Sequence, residues 1–300
     1  MTAGVAIRPG RDSESEALIA LIWSCWSLYP GIRMDVDREM PEMRALATWY
    51  AQKGGALWVT EAAGHVVGMI ATCPLHDGTW EICRVYVDPE RHGSGLAHAL
   101  LDTAEAHAIQ SGAQRLELWS DTRFERAHRF YQKRSYVRSG PVRVLRDISN
   151  SLEFGYAKPI QGVEVLDAAA AVSAEQRSPA IAGSWRLVAS GSAVVLAGWR
   201  DGVLAGTATL TLAEPHRGEV VDLSVDPEFR RRGLGRALMT RLEHEAKASG
   251  RHLLTAYTLV GEPLERLLDD SGWTALGTIP LYALRPDKSP ADARLFWKAL

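Results

Sequence analysis

The sequence predicts an α/β protein, mixed (α+β) sheets carrying helices, built as two tandem copies of one domain. Three observations lead there. Short apolar runs of strand length alternate with longer stretches of helical period. A segment of the first half recurs at an offset of 138 residues: Val87-Asp88-Pro89-Glu90 returns as Val225-Asp226-Pro227-Glu228, and Gly95-Leu96 as Gly233-Leu234. In both halves that segment has the order strand, glycine-bearing loop, helix.

The first copy opens with a short strand, Val5–Ile7, followed by helices over 13–28 and 37–53, where apolar residues recur at three- and four-residue spacing. Leu57–Glu61 and Val66–Thr72 read as strands about a turn at Gly64-His65. Trp80–Val87 is a long strand stopped by Asp88-Pro89, since proline cannot donate to a ladder. The loop 91–95 opens a helix over 96–111, closed by Gly112 in the position that favours a left-handed backbone. Arg115–Trp119 is a strand. Thr122 and Glu125 have capping-box spacing and start a helix to Arg134, and strands over 136–145 and 151–157 end the copy. The second copy repeats this from Val194. The boundary lies where the run Leu152–Ala157 meets Pro159 and a new β-like run begins at Val163, giving domains 1–159 and 160–300. The second copy is shorter ahead of Gly202 than the first is ahead of Gly64, so part of its helical region is missing.

Composition narrows the function. With 300 residues, two domains of about 150 are the expectation. Lys and Arg number 34 against 36 Asp and Glu, a net −2, which argues against nucleic-acid or anionic-membrane binding as a general property. The longest apolar run, Ala17–Trp26, is too short to span a bilayer, and the N-terminus has no signal-peptide pattern. Three cysteines with no Cys-x-x-Cys pair fit neither a disulfide scaffold nor a zinc ribbon. No pair of histidines has metal-ligand spacing, so no metal is expected. The chain reads as cytoplasmic, a monomer or homodimer.

The loops carry the chemistry. A glycine-rich turn feeding a helix start gathers backbone N–H groups and the positive end of the helix dipole at one spot, which suits a phosphate. In the first copy these residues are His92, Gly93, Ser94, Gly95, Leu96 and Ala97; in the second they are Arg230, Arg231, Arg232, Gly233, Leu234 and Gly235, with three guanidiniums added. Neither loop has the Gly-Lys-Ser/Thr of a Walker motif, and no Gly-x-Ser-x-Gly elbow occurs.

The second loop, Arg230-Arg-Arg-Gly-Leu-Gly235, resembles the Arg/Gln-x-x-Gly-x-Gly/Ala motif of the GNAT superfamily of acyl-CoA-dependent N-acyltransferases; the first departs from it, with His92 in place of Arg or Gln. Ala127-His-Arg-Phe130-Tyr131, followed by Ser135-Tyr136, is similar to the family's second motif, with Ser for Gly. The resemblance covers nearly the whole chain, twice. It implies two tandem GNAT domains, each a sheet splayed after its fourth strand, with acetyl-CoA (coenzyme A) in the split. The loops would hold the pyrophosphate. The backbones of Val85, Tyr86 and Val87, and of Leu223, Ser224 and Val225, would hold the pantetheine and acetyl carbonyl. It also implies Glu81 as general base and Tyr131 as general acid toward the departing thiolate. Phe124 stands where the family commonly has an Asn that contacts the cofactor.

The copies are unequal. The second keeps Glu219 but has Leu268 in place of the tyrosine, and nothing in the sequence puts Tyr257 or Tyr282 at the sulfur instead. The first copy is therefore expected to do the chemistry and the second to bind acyl-CoA. The acceptor is expected to be a primary amine of a small metabolite. The competing reading is a non-catalytic acyl-CoA-binding or regulatory protein. The aromatic residues Trp23, Trp26, Tyr29, Trp49 and Tyr50 lie on the first two helices, whose spacing assigns them to the core.

Overall fold

The computed structural model describes residues 6–139, 141–167, 193–212, 214–285 and 287–300. The chain forms two compact units, Met1–Arg129 with Pro141–Ile160, and Phe130–Gly140 with Gln161–Leu300.

The first copy begins with β1 (Ile7–Pro9) and α1 (Ser15–Trp26); Val5, the expected strand start, lies outside the described residues. The second expected helix is broken. It consists of α2 (Val36–Glu39), a 3-10 turn over Pro41–Ala45, and α3 (Leu46–Gln52). Pro41 explains the break: it lacks the N–H an α-helix needs and drives Met40 out of helical geometry, to φ −140°. Next come β2 (Ala56–Ala62) and β3 (His65–His76), joined by Ala63-Gly64 with both φ positive, at 50° and 79°. That is the turn whose twist matches a hairpin, and Asp201-Gly202 repeats it at 51° and 79°. After β4 (Thr79–Val87) follow α4 (Leu96–Gln110), β5 (Arg115–Asp121) and α5 (Glu125–Lys133). The expected strand over 136–145 is two short pieces, β6 (Val137–Arg138) and β7 (Arg143–Val144), with Pro141 between them; β8 (Leu152–Pro159) completes the copy.

In the first unit the strands run β1-β2-β3-β4-β5-β8, with β7 on β8. All neighbours are antiparallel except β4 and β5. One core lies between the sheet and α1–α3, where Leu18, Leu21, Ile22, Met43 and Leu46 meet Val59, Met69 and Ala71. On the other face α4 buries Leu96, Leu100, Leu101, Ala104 and Ala108. Its approach depends on Gly68: a Cβ there would lie 2.8 Å from Thr60 Cγ2 and 3.0 Å from Leu100 Cδ1. Lys158 on β8 and Glu105 on α4 form a buried ion pair, with Nζ 3.0 and 3.1 Å from the two carboxylate oxygens.

The second copy comprises β9 (Val163–Asp167), β10 (Ala193–Arg200), β11 (Val203–Thr211), β12 (Arg217–Val225), α6 (Leu234–Ala248), β13 (Leu253–Leu259), α7 (Pro263–Asp270), β14 (Thr274–Leu284) and β15 (Pro290–Ala299). Its sheet order is β14-β15-β13-β12-β11-β10-β9. β12, α6 and β13 each begin and end at the residues that the repeat offset assigns from β4, α4 and β5. The expected loss of helical region in this copy falls on residues 168–192, outside the described residues. Residues 130–140 also belong to this unit. Val137 packs with Ala197, Trp199 and Leu204, and the Trp199 indole donates to the Ser135 carbonyl at 3.0 Å. Among the described residues no helix is long and apolar enough to cross a membrane.

Candidate active site

The central feature is a strand pair that parts. β4 and β5 are in parallel register only from Thr79–Arg115 to Glu81–Glu117, although the strands continue to Val87 and Asp121. A bulge in β4 accompanies the parting: its register against β3 slips between Met69 and Ala71, and Arg84 takes a left-handed φ of 54°. Bulges steepen the local twist, which turns the end of β4 away from β5. The second copy does the same. β12 and β13 stay in register only to Val220–Ala256, and β12 slips against β11 between Thr209 and Leu210. Val85, Tyr86 and Val87, like Leu223, Ser224 and Val225, therefore lie on the half of a strand that has a neighbour on one side only.

Glu81 is the last residue of β4 in register with β5, at the apex of the split. It is half-buried, and its backbone carbonyl accepts the Thr72 hydroxyl at 2.7 Å. Glu219 is likewise half-buried on β12, its carbonyl accepting from Thr211 at 3.4 Å. Arg84, one strand turn beyond Glu81, donates to Glu42 at 2.7 Å and ties the 3-10 turn down onto the sheet.

At the mouth of each split the two loops are built alike. Asp88 and Asp226 each accept the amide two residues on, at 2.9 and 3.0 Å. His92 and Arg230 differ in chemistry but make the same bond. The His92 ring Nε2–H donates to the Val87 carbonyl at 3.0 Å, and Arg230 Nε–H to the Val225 carbonyl at 2.9 Å. The departure of His92 from the family pattern thus preserves the loop's anchor. Burial, with the nearby charge of Arg126, lowers the pKa of the His92 ring and favours its neutral form. The Val87 carbonyl also accepts the Cys25 thiol at 3.3 Å, so it serves the chain's own structure.

Gly95 and Gly233 stand at the N-cap of α4 and α6 with φ of 86° and 91°, and no side chain caps either helix. The first-turn amides have no acceptor inside the helix by construction. With a glycine cap they point into open space, where they and the helix dipole favour an anion. Gly93, at φ 82°, matches Arg231, which holds φ 59° despite its side chain. In the first loop Ser94 is fixed by its hydroxyl to the Arg91 carbonyl at 2.7 Å. In the second, Arg232 lies over the Phe229 ring at 5.8 Å. Gly235 has a packing role as well, since a Cβ there would come within 3.3 Å of Leu267 Cδ2; the matching Ala97 carries one.

Tyr131 is 6% exposed and packs beside Phe130 and Tyr136, with centroids 5.5 and 6.1 Å away. It falls in the segment grouped with the second unit, whereas Glu81 belongs to the first. Leu268, at the matching position, is fully buried. Tyr257 and Tyr282 pack edge to face at 5.4 Å.

The aromatic residues of the first helices do not all join the core as expected. Tyr50 is buried, but Trp23 and Trp49 are 46% and 40% exposed. The buried stripe of α1 is Leu18, Leu21 and Ile22, which leaves Trp23 on the open side. Trp26 instead donates its indole N–H to the Tyr86 hydroxyl at 3.0 Å, and Tyr29 packs on Phe124 at 4.7 Å. Sequence reasoning missed the Trp26–Tyr86 and Arg84–Glu42 contacts. No pattern along the chain signals either contact, because the partners lie 60 and 42 residues apart.

A mixed sheet opened after its fourth strand, with an uncapped glycine helix start at the mouth, offers one-sided strand backbone beside a place that favours an anion. The chain belongs to the acetyltransferase (GNAT) family, whose model matches residues 16–136 and again 163–264. It is 38% identical over 81 residues to an aminoalkylphosphonate N-acetyltransferase of Salmonella typhimurium, a match covering 25% of this chain and 53% of the relative. It is 30% identical over 105 residues to an uncharacterized N-acetyltransferase of Mycobacterium tuberculosis, covering 35% of this chain and 67% of that one. The chain thus spans about half the length of the Salmonella relative. Among solved structures, a GNAT-family acetyltransferase of Staphylococcus aureus is similar at 19% identity and TM-score 0.47, covering 53% of this chain and 100% of that one. The PaiA N-acetyltransferase of Thermoplasma acidophilum, solved with coenzyme A, is similar at 17% identity and TM-score 0.40, covering 51% and 98%.

Proposed function

We propose that the chain transfers an acetyl or short acyl group from acetyl-CoA directly to the primary amine of a small metabolite, and that the first copy does the chemistry. The observation that carries this reading is the strand pair parting at Glu81, next to a loop that presents uncapped helix amides. The amides of residues 93–97 hold the pyrophosphate, and the one-sided backbone of Val85–Val87 holds the pantetheine arm and thioester carbonyl. Glu81, at the apex, takes the proton from the amine; Tyr131 returns one to the departing thiolate. The cofactor supplies the activated acyl group. The acceptor class is in keeping with the aminoalkylphosphonate, itself a small amine, named for the Salmonella relative.

The second copy has the loop and the split but a fully buried leucine in place of the acid, and leucine donates no proton. We assign it acyl-CoA binding without turnover. The test is calorimetric stoichiometry of acetyl-CoA on the full chain, followed by thiol release against a panel of amines. Two binding sites are expected, with release falling by about a hundredfold or more in Glu81→Gln and in Tyr131→Phe while binding persists. Full activity in either variant removes that residue from its role. Binding without release from any amine returns the protein to an acyl-CoA-binding function.

A further inference from the structure

Beside Glu81 the sheet assembles a donor set that the proposed transfer does not use. Across the β3–β4 hairpin Cys73 is paired with Glu81, and Cys83 with Ala71, so Cys73, Glu81 and Cys83 share one face. Their Sγ and carboxylate oxygen atoms all lie within 4.8 Å of one another. Cys73 is 4% exposed, while Glu81 and Cys83 are half-buried.

Packing alone accounts for a buried Cys73. It does not account for a carboxylate and a second thiol brought to within 4.8 Å of it on one face of the sheet. Two thiolates and a carboxylate suit a borderline divalent cation held tetrahedrally with one position open. Sulfurs bound at about 2.3 Å to such an ion stand about 3.8 Å apart, so the observed spread is closed by small side-chain rotations.

We propose that Cys73, Glu81 and Cys83 form a binding site for a zinc-type divalent cation. Binding releases the two thiol protons and forms two metal–sulfur bonds and one metal–oxygen bond, with no change of oxidation state. A second consequence rests on the reading of Glu81 as the base: a carboxylate bound to the cation accepts no proton, so the ion shuts off acetyl transfer.

The test begins with cadmium titrated into the reduced, chelator-treated full chain. A near-ultraviolet thiolate-to-metal absorption saturating at one equivalent is expected. It should vanish in Cys73→Ser and in Cys83→Ser, and persist in Cys25→Ser, whose thiol is spent on the Val87 carbonyl. Because Cys73 is buried, Cys83→Ser with an unchanged near-ultraviolet dichroism spectrum is the deciding variant. Glu81→Gln should weaken the affinity by about tenfold or more. No absorption, or absorption surviving in Cys83→Ser, overturns the site. Zinc is then added to the acetyl-transfer assay. Loss of activity that a chelator restores, and that Cys83→Ser escapes, supports the inhibitory role. A metal-loaded chain with undiminished transfer leaves the site standing and overturns Glu81 as the base.

Discussion

Replacing Gly95 with alanine, and separately Gly233, puts a methyl group on a backbone held at φ 86° and 91°. At neither position would the new Cβ meet any atom within 4 Å, so the whole effect is conformational. A left-handed backbone costs an L-residue about 1–2 kcal/mol. Both glycines are exposed, in a loop with nothing packed over it, so the free loop relaxes out of the left-handed region. The cost is then met when the ligand requires the amides back in place, and acetyl-CoA affinity at that copy should fall by about 5- to 30-fold. Asparagine tolerates this region better, so Gly95→Asn should recover much of the loss. Calorimetry on the full chain resolves the result, with each alanine weakening one of two sites. If both variants bind as the wild type does while their melting temperatures fall, the strain is borne by the fold, and the loops are not phosphate cradles.

Lys158→Met strands the Glu105 carboxylate in the interior and should cost about 3–5 kcal/mol in urea unfolding; the double variant with Glu105→Leu should recover most of it. A loss under about 1 kcal/mol would mean that the pair behaves like a surface one. His92 gives a pH signature. Its folded pKa lies below its ordinary value, so its contribution is full above the ordinary histidine range and is lost as pH falls through the lower, folded value. Melting temperatures followed from about pH 8 to about pH 5 should therefore drop more steeply in the wild type than in His92→Arg, the residue of the second copy. Parallel curves would remove His92 from the account.

Much of this was legible in the sequence because the repeat carries its own registration. Once Val87 matched Val225, the bounds of the fourth strand, the loop and the following helix transferred from copy to copy. The anchoring role of His92 was not legible, since imidazole and guanidinium share nothing in a motif pattern; only the common carbonyl acceptor reveals it. Cys73 and Cys83 escaped for a different reason. Metal spacings are read along the chain, and these residues meet across a hairpin whose register slips nearby. The expected helix over 37–53 ignored what Pro41 does to the residue before it. Ser135 and Val137 follow the sequence of the first copy but meet Trp199 of the second, a long-range preference that no local pattern encodes.

The parted strands also bear on how the protein should be handled. Beyond Glu81 and Val220 each sheet has an edge in its own middle, a row of backbone donors and acceptors facing a gap rather than a neighbouring strand. Such edges template pairing with other chains unless something extended and amide-bearing lies along them. The same opening that admits a cofactor is therefore a place where one molecule can recruit another. Stripped protein should self-associate faster than protein stored with coenzyme A, and a ligand added for activity would double as a guard against aggregation.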